Sequence, residues 1–383
     1  MNINQIPTPF FIVYENALRH NLDLIKHVSD CADVQIIMAF KANALWRTFD
    51  IFKEYGIKST ASSINEMLLA REFLCNRVHT YCPAYTTGTI NQYLDGSSHI
   101  TFNSLNQFDR FKDYLTEYNQ SHSDTPVSAG LRVNPHCSVI DTDIYNPALP
   151  GSRFGVSADD LKNGLPNGIE GLHFHALCES SSYDLEKVLN AFEQHFGHLL
   201  GSVKWVNMGG GHLMTREDYD IDHLIDLLKD FKQRHPNLHV ILEPGSAFTW
   251  QTGDLITSVV DIVENDGVKT AIIDASFACH MPDTLEMPYK PAIAESTSES
   301  DSSIAYRIGG NSCLSGDFHG PWFFDHPLKI GQRLTFKDMN HYTTVKTTMF
   351  NGISHPDIVF CDSNNHCKYL RQFSYEDYRS RMS

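Results

Sequence analysis

The feature that most constrains the fold is a regular alternation of apolar strands and amphipathic helices from about residue 19 to about residue 250. Helical patterns such as WRTFDIFKEYG and NEMLLAREFL separate short apolar runs. The runs predicted as strands are VQIIMAF, TASS, HTYCPA, HITFNS, SAGLRVNP, GIEGLHFHAL, VKWVNMGGG and LHVILEPGS. About eight strands at this spacing predict a parallel sheet that closes into a (β/α)8 barrel of the TIM type. An open doubly wound sheet is the main alternative.

The pattern changes after the barrel region. β-branched runs now follow one another, separated by Gly, Pro and Asp turns: TGDLITSVVDIVEN, VKTAIIDAS, QRLTFKDM, TTVKTTMF and DIVFCD. They predict a C-terminal antiparallel β-domain. We therefore expect a barrel over residues 18–252 and a β-domain over residues 253–383, joined by a strand from residues 1–17. The acidic, serine-rich segment 291–306 is expected to be an exposed loop.

The charge balance of the 383-residue chain limits its partners. Lys and Arg number 30 against 46 Asp and Glu, a net charge of −16, which disfavours nucleic acid and anionic membranes. No stretch approaches ~20 consecutive apolar residues, and the opening segment has no basic leader before an apolar core. We expect a cytoplasmic protein whose nine cysteines are mostly reduced core thiols, without the spacing of a metal site.

Chemically distinctive residues follow four of the predicted strands, where a parallel barrel places them around one shared mouth. Lys41 follows VQIIMAF, His175 lies at the end of LHFHAL, Gly209–Gly211 follow KWVNM, and Glu243 follows LHVIL. Each has an ordinary structural explanation, as a solvated lysine, a satisfied core histidine, a tight turn or a capping carboxylate. Their coincidence at four strand ends favours a shared functional site.

These residue types together suit one cofactor. A partly desolvated lysine has a lowered pKa and can form a Schiff base with an aldehyde. Consecutive glycines let backbone N–H groups approach a phosphate. A carboxylate facing a pyridine nitrogen keeps the ring protonated and electron-withdrawing, and an imidazole can stack on the ring. The combination predicts a site for pyridoxal 5'-phosphate (PLP).

The motifs resemble those of the alanine-racemase-like, fold-type III PLP decarboxylases, the family of the ornithine, diaminopimelate and arginine decarboxylases. AFKAN resembles their Schiff-base lysine motif, MGGGH their phosphate loop, EPGS the segment whose glutamate pairs with the ring nitrogen, and GGNSCLSGD the catalytic-cysteine motif. The likeness runs in order through almost the whole chain and implies catalytic roles for Lys41 and Cys313. The residues that it assigns to the cofactor are Lys41, Glu66, Arg132, His175, Gly209, Gly210, Gly211, Glu243, Gly245 and Tyr342.

Within this family, HFHALCES, IIDASFACHMPDTLEMPY and GGNSCLSGDF resemble the branch that decarboxylates carboxynorspermidine and carboxyspermidine. This resemblance implies a carboxylated polyamine as substrate and a place in polyamine biosynthesis. It also implies a homodimer in which the Cys313 loop completes the site of the opposite subunit. Asp283 is expected to bind the distal amine, with His280 and Glu286 as further substrate-binding candidates.

Departures from the family pattern bear on the alternatives. Ser246 follows EPG where ornithine-type enzymes carry an arginine, Leu314 stands where they place an acid, and Thr60 stands where they have another acid. The absence of an acid at position 314 argues against ornithine or lysine as the substrate. The absence of an arginine at position 246 argues against diaminopimelate. Glu243 disfavours an amino-acid racemase, because racemases of this fold leave the ring nitrogen uncharged. A non-catalytic PLP-binding protein is disfavoured by the Cys313 and Tyr342 segments, and a purely structural barrel is the remaining alternative.

Overall fold

The computed structural model describes residues 1–287 and 289–383. They divide into two compact units, one formed by residues 21–248 and the other by residues 1–20 together with 249–383. The chain opens with strand β1 (Phe10–Tyr14), which is followed directly by helix α1 (Glu15–Ala32).

The unit formed by residues 21–248 is a parallel barrel. Its strands in chain order are β2 (Gln35–Ile36), β3 (Met38–Ala39), β4 (Ser59–Ala61), β5 (Val78–Tyr81), β6 (Ser97–Phe102), β7 (Ser128–Arg132), β8 (Ile169–His173), β9 (Trp205–Asn207) and β10 (His239–Leu242). β2 and β3 are two parts of one short segment. Because β2 pairs with β10 and β3 pairs with β4, this segment closes the sheet. The predicted (β/α)8 barrel is confirmed, and the open doubly wound sheet is wrong.

Helices follow most of these strands. They are α2 (Phe49–Glu54), α3 (Ile64–Phe73), α4 (Ile90–Gly96), α5 (Leu105–Ser121), α6 (Ser182–Phe196), α7 (Ile221–Arg234) and α8 (Ser246–Thr249). Several begin at polar caps: Ser104 accepts from the Gln107 N–H at α5, and Ser181 forms a capping box with Asp184 at α6. Each cap sets where its helix begins, so it also sets the length of the loop that leaves the preceding strand.

The second unit is a mostly antiparallel β-domain. Besides β1, its strands are β11 (Gly253–Asn265), β12 (Val268–Ile273), β13 (Ile304–Gly309), β14 (Phe318–Phe324), β15 (Arg333–Phe336), β16 (Asp357–Cys361) and β17 (Cys367–Arg371). Its helices are α9 (Phe277–His280), α10 (Asp283–Glu286) and α11 (Tyr375–Met382). The pairs β1–β16 and β12–β13 are parallel, while the other ladders of this sheet are antiparallel. Its core packs Phe277, Trp322 and Phe336 together.

One local prediction for the β-domain is wrong, and another is confirmed except at its C-terminal end. TTVKTTMF was expected as a strand, but it carries the 3₁₀ helix Thr343–Val345 and begins a second one, Phe350–Gly352. The turn at Tyr342, with φ of +54°, directs the chain out of extended geometry just before this segment. Segment 291–306 is largely exposed, but its last residues belong to β13 rather than to a loop.

The cysteines also depart from expectation. Cys361 and Cys367, which face each other across β16 and β17, form a disulfide. The other seven are free thiols, but among them only Cys279 is buried. The prediction of core thiols is therefore wrong for most of them. Separately, none of the helices within the described residues has the length and hydropathy needed to cross a membrane.

Candidate active site

Lys41 and His175 lie two residues beyond β3 and β8, respectively, and meet at the C-terminal ends of these strands. Lys41 Nζ is 3.5 Å from His175 Nε2. The Lys41 side chain is reached by solvent, yet the protein around it lowers the pKa of its ammonium group by desolvation, assisted by the charge of Arg132. Burial and the charge of Lys41 hold the pKa of His175 well below its usual value. The pair therefore presents an amine of enhanced nucleophilicity beside a neutral imidazole.

The three glycines after β9 allow close backbone contact. A Cβ at Gly210 would overlap the carbonyl oxygen of Glu243. Gly211 has φ of +92°, and a Cβ there would overlap the backbone of Leu177. His175 Nδ1 lies 3.1 Å from both the nitrogen and the oxygen of Gly210. The glycine loop thus packs its backbone directly against the segments that carry His175 and Glu243, an approach that only glycine permits.

Glu243 follows β10 directly and is 8% exposed. Its Oε1 accepts a hydrogen bond of 2.7 Å from Asn207 Nδ2. Burial raises the pKa of Glu243, while the hydrogen bond from Asn207 and the charge of Lys41 act in the opposite direction. Gly245 lies in the next turn, where a Cβ would come within 2.6 Å of Ala42 Cβ. The segment carrying Glu243 therefore packs directly against the segment carrying Lys41.

Arg132 ends β7 and is fixed between two aromatic rings. Its guanidinium carbon lies 4.7 Å from the ring centroid of Tyr81 and 4.4 Å from that of Phe154. Its Nη2 donates to the carbonyl oxygen of His175 at 3.2 Å. These contacts hold a buried cation in one orientation next to the Lys41–His175 pair.

Glu66 lies in the first turn of α3. Its Oε2 accepts from the Ser62 N–H at 2.6 Å, and its own N–H donates to Ser63 Oγ at 3.2 Å. Burial raises the pKa of Glu66 and the charge of Lys41 lowers it, while Glu66 in turn raises the pKa of Lys41. Glu66 therefore follows the N-cap Ser63 in the first turn of α3, and the charge of Glu66 acts on the Lys41 amine.

In the β-domain, Cys313 lies in the loop between β13 and β14, and its side chain is exposed. Its N–H donates to Asn351 Oδ1 at 2.8 Å. The buried carboxylate of Asp317 shapes this loop by accepting from Ser312 Oγ at 2.5 Å and from the Ala278 N–H at 3.0 Å. The loop thus presents an accessible thiol on a well-defined backbone.

Tyr342 and His280 occupy contrasting positions in the same domain. Tyr342 has φ of +54°, a strained conformation for a tyrosine and one that occurs preferentially at functional sites. His280 is completely buried, and its Nδ1 accepts from the Ser276 N–H at 3.1 Å. Burial lowers the pKa of His280 to about 4. These contacts favour a structural role for His280.

Asp283 and Glu286 share an ion pair with Lys346, which sequence reasoning did not single out. Lys346 Nζ donates to Asp283 Oδ1 and, at 2.6 Å, to Glu286 Oε2. Desolvation lowers the pKa of Lys346, but the two acidic partners outweigh it and the pKa is raised. The acids predicted to bind an amine of the substrate therefore already hold one ammonium group.

Three further residues of the barrel site were missed: Asn207, Tyr81 and Phe154. Asn207 ends β9, so the strand-end argument that selected Lys41 could have selected it as well. Tyr81 also ends a strand, but nothing local connects it or Phe154 with Arg132. Among the described residues, no group of three or more His, Cys, Asp or Glu side chains could hold a metal ion.

The barrel residues fit PLP. Lys41 offers an amine of lowered pKa for an aldehyde, and the glycine loop offers backbone, packed closely beside His175 and Glu243, for a phosphate. Glu243 offers a buried carboxylate for the ring nitrogen, and neutral His175 offers a ring face without charge. This set matches the groups with which proteins bind and tune this cofactor.

Comparison with known proteins agrees with this geometry. The family model described as "Pyridoxal-dependent decarboxylase, C-terminal sheet domain" matches residues 11–340. A carboxyaminopropylagmatine decarboxylase of Synechocystis sp. is 43% identical over 99% of this chain and 96% of its own length. A carboxynorspermidine/carboxyspermidine decarboxylase of Campylobacter jejuni is 42% identical over 100% of both chains.

A solved structure extends the likeness to three dimensions. The crystal structure of carboxynorspermidine decarboxylase from Campylobacter jejuni, complexed with norspermidine, matches with a TM-score of 0.88 and 40% identity. The match covers 98% of this chain and 100% of that chain.

Proposed function

Because the chain belongs to the pyridoxal-dependent decarboxylases, we propose that it decarboxylates carboxynorspermidine and carboxyspermidine, yielding norspermidine and spermidine in polyamine biosynthesis. The observation that carries the proposal is the grouping of Lys41, His175, Glu243 and the glycine loop at the C-terminal ends of the barrel strands. Full-length similarity to carboxynorspermidine/carboxyspermidine decarboxylases supports this substrate class within the family.

When bound, PLP supplies an aldehyde that reacts with amines and a protonated ring that draws electrons away from the substrate Cα. Lys41 would hold it covalently, because the lowered pKa of Lys41 increases the fraction of free amine available for that bond. Neutral His175 would pack against the face of the cofactor ring without adding a second positive charge beside it. Glu243 would keep a proton on the ring nitrogen, and the Gly211 N–H would bind the phosphate, because the Gly209 and Gly210 N–H groups donate to Asn207 Oδ1 and His175 Nδ1.

We assign to Cys313 the protonation of the substrate Cα. The bond between Cα and the carboxylate breaks, CO2 leaves, and the electron pair of that bond finally forms a C–H bond with the thiol proton. Water then reprotonates the thiolate. The exposed position of Cys313 makes its thiol available for this transfer. We also propose a homodimer in which the Cys313 loop of one subunit serves the other subunit.

A second candidate substrate is carboxyaminopropylagmatine, because a full-length relative of 43% identity is named for that activity. The two candidates differ at the end of the substrate remote from the carboxylate, where agmatine carries a guanidinium group in place of an ammonium group. They share the decarboxylation chemistry described above, so the distinction lies only in the binding of that end.

The test is CO2 release by PLP-loaded protein from carboxynorspermidine, carboxyspermidine, carboxyaminopropylagmatine, diaminopimelate, ornithine, lysine and arginine. Release mainly from the two carboxylated triamines supports the proposal. Release mainly from carboxyaminopropylagmatine selects the second candidate. Release mainly from diaminopimelate or a simple basic amino acid refutes the substrate, and racemisation without CO2 release refutes the reaction.

A further inference from the structure

The carboxylate of Glu243 is held by a side chain from the neighbouring strand. Asn207 ends β9, which pairs with β10, and Asn207 lies opposite Ile241 in that ladder. Its Nδ2 donates to Glu243 Oε1 at 2.7 Å. Both side chains are buried, with 2% of Asn207 and 8% of Glu243 exposed. A hydrogen bond formed so far from water fixes the carboxylate in one orientation.

The other end of the Asn207 amide defines which atom faces Glu243. Its Oδ1 accepts from the Gly209 N–H at 2.9 Å, so the NH2 group has to point toward the carboxylate. The Glu243 N–H in turn donates to the Gly209 carbonyl oxygen at 2.7 Å. Asn207 therefore connects the acid of the site with the first residue of the glycine loop.

The second carboxylate oxygen faces His173. His173 Nε2 lies 3.7 Å from Glu243 Oε2, beyond hydrogen-bond distance. Neither ring nitrogen of His173 has a hydrogen-bond partner within residues 1–287 and 289–383, although the side chain is only 2% exposed. Burial and the charges of Arg132 and Lys41 keep the pKa of His173 well below its usual value. Because His173 is neutral, it is not a cation that would compete with a cofactor nitrogen for the Glu243 carboxylate.

We propose that Asn207 is a positioning residue that keeps Glu243 ionised and aimed at the ring nitrogen of PLP, with neutral His173 alongside. This inference rests on the proposed function. An amide N–H donor stabilises the charged form of a carboxyl group, and burial alone would favour the neutral acid. A neutral Glu243 would not hold a proton on the ring nitrogen, so Asn207 acts on the cofactor through Glu243.

The experiment compares the binding of two probes, PLP and its analogue with carbon in place of the ring nitrogen, by absorbance titration of apoprotein. We expect Asn207→Leu to weaken PLP binding about tenfold, the equivalent of one charge-assisted hydrogen bond. The analogue has no ring nitrogen to pair with Glu243, so its affinity should change much less. In a Glu243→Gln background, Asn207→Leu should add little further loss for PLP.

The matched control is Asn119→Leu. Asn119 also donates and accepts, contacting the Val127 carbonyl oxygen at 3.0 Å and the Val127 N–H at 2.8 Å, but it lies in α5 and away from Glu243. Its replacement should leave both affinities unchanged. If Asn207→Leu does not fold, Asn207→Ser, which is small enough to avoid a clash, takes its place.

Equal losses for PLP and the analogue, or full additivity with Glu243→Gln, would overturn the positioning role while leaving the proposed function intact. Failure of the unsubstituted protein to bind PLP would instead refute the proposed function.

Discussion

Lys41 Nζ and His175 Nε2 lie 3.5 Å apart, and the same surroundings lower the pKa of both groups. Two cations at this distance would repel each other, so the arrangement favours a neutral imidazole and a lysine that loses its proton readily. A lysine that bonds covalently to an aldehyde needs this property. We therefore expect covalent binding of PLP to depend on Lys41.

Lys41→Ala should abolish both turnover and the visible absorbance of PLP held by the protein, because it removes the amine that is proposed to bond covalently to the cofactor. Circular dichroism should show an unchanged fold. Lys58→Ala is the matched control, since Lys58 is exposed and precedes β4 rather than following a strand. Retention of absorbance and turnover by the Lys41 variant would contradict the assignment.

Gly210→Ala should impair cofactor binding, because the added Cβ overlaps the carbonyl oxygen of Glu243. Overpacking of this kind costs about 1–3 kcal/mol. Gly201→Ala is the control, because a Cβ at Gly201 meets no atom within 4 Å. PLP titrations and melting temperatures of both variants measure the effect. Equal PLP affinities and melting temperatures in the two variants would show that Gly210 makes no close contact with Glu243.

Cys313→Ala should lower kcat by about 10²- to 10⁴-fold, the usual contribution of a positioned general acid, while leaving PLP absorbance unchanged. The control is Cys31→Ala, which removes another exposed thiol. Steady-state kinetics and product analysis together make the measurement. Unaltered kcat and products in the Cys313 variant would remove it from the mechanism.

The barrel should lose stability in mild acid through His212. This side chain is buried, and burial lowers its pKa to about 4. Below its unfolded pKa of about 6.5, the unfolded chain binds a proton that the folded chain does not, so stability falls as the pH drops from about 6.5 toward about 4. Near pH 5 the loss from this group is about 2 kcal/mol.

Urea unfolding of the apoprotein near pH 7.5 and near pH 5 measures this loss. His212→Gln should show a smaller difference between the two conditions, because glutamine does not titrate. An identical pH dependence in both proteins would exclude His212 as a source of acid sensitivity.

Asp283→Asn and Lys346→Met should change the KM for the triamine substrate in opposite directions. Loss of the Asp283 charge should raise KM roughly tenfold, as expected for one charge-assisted hydrogen bond. Removal of the Lys346 ammonium, which now occupies Asp283 and Glu286, should lower KM. Asp159→Asn, at an exposed position of the barrel, serves as the control. Parallel changes in the two variants would mean that the ion pair is purely structural.

The sequence by itself determined the barrel and predicted the central residues of its candidate site. Parallel strands share one C-terminal edge, so Lys41, His175 and Glu243, each just beyond a different strand, have to lie near one another once the barrel closes. The sequence also predicted the glycine loop, because only glycine permits the backbone to approach its neighbours so closely.

Only the tertiary structure decided which partners orient those residues. The hydrogen bond from Asn207 to Glu243 and the placement of Arg132 between Tyr81 and Phe154 join residues far apart in the chain. Lys346, which pairs with Asp283, lies in a segment whose β-branched composition predicted a strand. Local periodicity reports which face of an element is buried, but a contact between side chains depends on how the elements pack, and packing is a property of the whole chain.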